Sequence, residues 1–195
     1  MTSTSIRKND SLGSNAARLR SEMKYTHGKY NDLVSELAML TKSELRPMVL
    51  DVDRSKLENG RIEGVNDIFG KIESVLFNLG QIHREMDEIV QNIGGLEFST
   101  TNVVDKLSEI MHNQEKQHSR MFTELNHLTE SLTSINEGSK KVSLTDFQDD
   151  VKEYQVTFSL FQDRVIESIP RISKVFDELD HEEEAGKRYG STKQI

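Results

Sequence analysis

Histidine and carboxylate are the side chains here best suited to chemistry, and their spacing assembles no site. The six histidines, His27, His83, His112, His118, His127 and His181, are scattered along the chain. Two histidines hold one metal from a single helical face when they stand at i and i+4. His112 and His118 stand six apart and miss that spacing. The glycines occur singly or in one pair, without the GxxxxGK[ST] or GxGxxG contexts that cradle phosphates. Met23, Met86 and Met121 fall in phase with apolar stripes and read as core filler. The acidic run Asp177–Glu184 reads as a solvated helix end, and Arg18, Arg20, Lys24 and Lys29, interleaved with Tyr25 and Tyr30, as an ordinary polar face. The residues therefore imply no enzyme and assign no catalytic, cofactor-binding or metal-ligating position.

Composition agrees with long helices that bury narrow stripes. Hydrophobic residues make up 34% of the 195 residues and charged residues 30%. Typical globular domains carry roughly 45 to 50% apolar residues. Cysteine is absent, which removes disulfides, thiol catalysis and cysteine-ligated metals. No apolar run approaches the roughly 20 residues needed to cross a bilayer, and Met1 to Ser14 lacks a signal-peptide core, so a soluble cytoplasmic protein is expected. A formal net charge of -8 argues against nucleic acid as a direct main partner, because that affinity comes from cations on phosphate.

Read along the chain, residues 1–11 form a flexible tail. A 3,4 spacing from Leu12 through Leu40 predicts a first helix over 12–44, ended by Pro47. Residues 45–61 form a connector with an apolar patch at Met48, Val49, Leu50 and Val52, and Ser55 with Glu58 matches a capping box. Over 62–137, counting Val65 as heptad position a, the a and d sites include Ile68, Ile72, Val75, Leu79, Ile82, Met86, Ile89, Ile93, Leu96, Val103, Leu107 and Ile110. The polar exceptions are Thr100, Gln114 and Gln117. A 3.5-residue period sustained this long predicts coiled-coil packing. Gly94 and Gly95 interrupt it and mark a hinge over 94–101, which turns the region into two helices; an unbroken register through Ile93, Leu96 and Val103 favours one continuous helix instead. The last helix, 142–180, presents Phe147, Val151, Tyr154, Phe158, Phe161 and Val165, then, after a stutter, Ile169, Ile172, Phe176 and Leu179. Pro170 is expected to kink or break it near Ser168, and 181–195 to form a charged flexible tail.

The expected fold is all-α, with long heptad-patterned helices forming a coiled coil or an elongated up-and-down bundle. Isoleucine and valine at d disfavour a parallel dimer, and the apolar e positions Phe69, Leu76, Val90, Val104 and Met111 widen each stripe beyond a two-helix seam. A homo-oligomer of three or four chains satisfies that demand, and so does a bundle made within one chain or a helical hetero-complex. The functional expectation is a structural or adaptor protein that recruits others through flexible termini. The alternative is an oligomeric nucleoprotein or polymerase cofactor, similar in plan to a viral phosphoprotein.

Overall fold

The structure, a computed structural model, describes residues 9–51, 64–96 and 101–191. These residues are all-α: α1 (Asn9–Ala38), a π-helical stretch (Met39–Leu45), α2 (Arg46–Val49), α3 (Val65–Gly94), α4 (Thr101–Asn136) and α5 (Leu144–Ser191), with no strand among them. The chain divides into two compact units. Residues 9–29, 82–113 and 167–191 belong to the first, and residues 30–81 and 114–166 to the second.

In the first unit the C-terminal part of α5 packs antiparallel to both α1 and α4. Arg20 reaches Asp177 at 2.7 Å and also Asp180, while His27, later in α1, meets the earlier Ser168. Lys106 pairs with Glu178, whereas Glu109 faces Arg171 at 3.8 Å. The second unit repeats this sense. Gln155 Nε2 donates to the Thr41 carbonyl at 3.1 Å, and Gln148, one helical turn and more earlier, donates to that of Val49 at 2.8 Å. Thr157 Oγ1 donates to Glu124 at 3.1 Å while His127 faces Asp150 at 3.6 Å.

Helix ends follow local chemistry. Ser143 caps α5, its Oγ accepting from the Asp146 N–H at 3.0 Å while the Asp146 carboxylate accepts from the Ser143 N–H at 3.3 Å. That reciprocal pair satisfies donors the helix leaves open. At the end of α4, Ser139 N donates to Ser134 O and Gly138 N to Ile135 O, with Gly138 at φ 71. This left-handed closure suits glycine. α3 ends differently: Gly95 N donates to the carbonyls of Gln91 and Asn92 and Leu96 N to that of Ile93, a tightening last turn without positive φ.

The extents of the helices differ from expectation at four places. The first helix does not stop near Glu44, because the chain stays helical to Val49 through the π-helical stretch. Arg46 is right-handed helical although Pro47 follows, and Pro47 sits in the first turn of α2, where a missing N–H costs little. Buried Val49, held by the Gln148 bond to its carbonyl, anchors the extension. Second, of the kink or break expected near Ser168, the break is absent, since the last helix continues through Pro170. Pro170 and Ile166 are both exposed, so the proline lies on the outer side of the helix rather than in the core. Third, residues 181–191 are helical, not a flexible tail. Glu183, 9% exposed, pairs with Lys187 one turn on at 2.9 Å, the orientation that best supports a helix. At the other end α1 begins at Asn9, inside the segment expected to be a tail. Residues 1–8 and 192–195, Thr100, and Ser55 with Glu58 lie outside the described residues.

Candidate functional site

The residues expected to meet another chain are distributed between the interiors of the two units. Ile68, Ile72, Val75 and Leu79 are buried in the second unit, and Met86, Ile89, Ile93, Val103, Leu107 and Ile110 in the first. Ile82 and Leu96 are half-buried, and beside Ile82 it is His83 that points inward. The e positions Phe69, Leu76, Val90 and Met111 are buried as well. A stripe this wide packs on more than one neighbouring helix. Those neighbours are supplied within each unit.

The C-terminal helix forms the aromatic part of the second unit's core. Phe147, Val151, Tyr154, Phe158 and Phe161 are all fully buried. Tyr30 and Phe161 meet edge to face at 6.3 Å and 63°, and Phe69 and Phe147 at 6.4 Å and 68°. Such pairs contribute about 0.5–1.5 kcal/mol beyond area burial. Burial pushes the Tyr30 and Tyr154 hydroxyls well above the usual phenol range, and the nearby Glu124 carboxylate raises Tyr154 further.

Several buried polar contacts lie where apolar periodicity has no signal. In the first unit His27 and Ser168 approach to 3.1 Å, both nearly inaccessible, and burial lowers the His27 pKa. Ser168 takes the inward position, and Ile169, expected in the stripe, is exposed. The α5 stripe thus continues Val165, Ser168, Ile172, Val175 and Leu179 without a stutter. Of the polar exceptions in the heptad pattern, Gln114 is buried and Gln117 half-buried.

In the second unit a hollow of about 310 Å³ is lined by Thr123, Glu124, His127, Leu128, Asp150 and Glu153. Its charged members pair with one another or with Arg120, which reaches Glu124 at 2.7 Å and Glu153 at 3.8 Å. Exposed pairs of this kind contribute about 0–1 kcal/mol each. Among the described residues no three His, Asp or Glu side chains form a group that could hold a metal ion, and no helix is long and apolar enough to cross a membrane. Gly94 and Gly95 stand at the end of α3, and a Cβ on Gly94 would make ordinary contact with Val104 Cγ2 at 3.5 Å.

The outward face of α5 in the second unit is more distinctive. Val156 is 60% exposed and Leu160 51% exposed. They form the α5 wall of an open groove of about 580 Å³, lined also by Arg46, Leu50, Asp51, Lys152, Gln155 and Ser159. Reading for the buried stripe passes over this pair. The signal available in the sequence is an apolar i, i+4 pair out of phase with Tyr154, Phe158 and Phe161. No protein-family model matches the chain, and neither a curated protein nor a solved structure matches it.

Proposed function

We propose that this is a non-enzymatic structural or adaptor protein that self-associates or joins a helical complex, and that it works in the cytoplasm. The observation that carries the reading is the groove wall of Val156 and Leu160, apolar surface held on a rigid helix whose opposite face is locked into an aromatic core. Association through the heptad seam would require opening the units, because those residues are covered within the chain. An outward face needs no such opening, and a partner helix gains affinity by covering an i, i+4 apolar pair.

The test is the mass of the purified full chain by sedimentation equilibrium over a wide concentration range, beside salt-dependent binding of single-stranded RNA. A concentration-dependent mass above 22.3 kDa supports the reading. A monomer throughout, combined with salt-sensitive RNA binding, would replace it with the nucleoprotein-cofactor alternative.

A further inference from the structure

The outward face of α5 is charged in an order that complements itself when reversed. From Lys152 the exposed sequence runs Lys152, Glu153, Val156, Leu160, Asp163, Arg164. Turning a second copy end for end about the midpoint of Val156 and Leu160 sets Lys152 opposite Asp163 and Glu153 opposite Arg164, and sets each valine on the other copy's leucine. At 1.5 Å per residue, Lys152 lies about 9 Å from that midpoint and Asp163 about 7.5 Å, a mismatch well within side-chain reach. Glu153 and Arg164 show the same offset in the opposite order. At 3.6 residues per turn, Lys152 and Asp163 fall on one side of the Val156–Leu160 line and Glu153 and Arg164 on the other. A two-fold axis perpendicular to the helix keeps each side facing its own kind of side, so all four pairs form together. A parallel two-fold would set Lys152 against Glu153 and Asp163 against Arg164, also opposite charges, but a double reversal of Lys152 and Asp163 makes those pairs repulsive and restores only the antiparallel ones.

Resting on the self-association read above, we propose that this face is a two-fold interface in which α5 of one copy packs antiparallel on α5 of a second copy of this chain. The groups it uses are available. Asp163 and Arg164 take no ion pair among the described residues, Lys152 is held only by exposed Asp149 at 2.9 Å, and Glu153 only by Arg120 at 3.8 Å. The groove alongside, with Leu50, Gln155 and Ser159 in its wall, receives the apolar side chains of the second copy.

Charge reversal and apolar replacement test the interface separately. Sedimentation equilibrium of the full chain at low and physiological salt is run for the wild type, Val156→Ser with Leu160→Ser, Lys152→Glu, Asp163→Lys, and the double reversal. The serine variant should be monomeric with unchanged circular dichroism. Each single reversal should weaken the dimer on the order of tenfold, since it turns two attractive pairs repulsive. The double reversal should restore it to within a few-fold of wild type. A dimer indifferent to the serine substitutions, or a double reversal no tighter than the singles, overturns this interface and leaves self-association to another surface. A wild-type chain that stays monomeric removes the interface and the self-association reading together.

Discussion

Replacing Gly138 by alanine should destabilise the protein, and replacing Gly94 and Gly95 together should not. Gly138 holds φ 71 at the end of α4, with Ser139 and Gly138 closing onto Ser134 and Ile135. An L-residue in the left-handed region costs about 1–2 kcal/mol, of which about 0.4–1 kcal/mol is returned by the less flexible unfolded chain. The net loss is about 1 kcal/mol. Gly94 and Gly95 have no positive φ, and added Cβ atoms would meet their nearest neighbours at 3.5 Å, ordinary contact. Alanine is favoured over glycine by up to about 1 kcal/mol in a helix, so the double substitution should be neutral or stabilising. Urea titration followed by circular dichroism reads the difference. With a slope of about 2 kcal/mol per molar, the two variants should separate by about 0.5–1 M in midpoint, on opposite sides of or level with wild type. A Gly138→Ala protein as stable as wild type, or a larger loss from the Gly94 and Gly95 pair, would refute this account of the helix ends.

Two further outcomes are expected. Burial holds the His27 pKa below its ordinary 6.5, so as pH falls through 6.5 the unfolded chain takes up the proton first and stability declines. Denaturant titrations across that range should show a shallower decline for His27→Gln than for wild type, and an unchanged slope would remove His27 from the acid response. Pro170→Ala should stabilise the protein by about 1–3 kcal/mol, because it restores a donor for the Ile166 carbonyl inside α5; a lower thermal midpoint would contradict that reading of the helix.

The all-α class is legible because the apolar residues from Val65 to Ile93 keep a helical period long enough to leave no room for strands. The helix starting at Leu144 is legible for a second reason, since Ser143 and Asp146 write their cap into the sequence three residues apart. The register past Val165 is not, because hydrophobicity cannot choose between Ile169 and Ser168 for the inward place. The buried contact of Ser168 with His27 comes from a residue far away in sequence and decides it. Val49 extends its helix for the same kind of reason, through the bond from Gln148 that local propensity does not contain, whereas the extension at Glu183 rests on a local i, i+4 pair with Lys187 that the sequence does carry. The partner of a wide apolar stripe is equally invisible, since a neighbouring helix of the same chain and one of another chain satisfy the same period.

That ambiguity moves the functional question from the stripe to the surface. Scattered exposed apolar residues are ordinary on any protein, so the exposure of Phe77 or Met39 by itself carries no meaning. Val156 and Leu160 differ in arrangement. They sit one turn apart on a helix whose far side is pinned by Tyr154, Phe158 and Phe161, so the face is presented without cost in rotational freedom of the helix. Their flanking charges alternate in sign on both sides, and the order is the one that reverses onto itself. A face evolved only for hydration needs charge but no such order, whereas a face that meets its own copy needs both the order and the apolar centre. On the association we propose, the register of charges along α5, more than the heptad seam beside it, is therefore where substitutions should change the mass of the protein in solution.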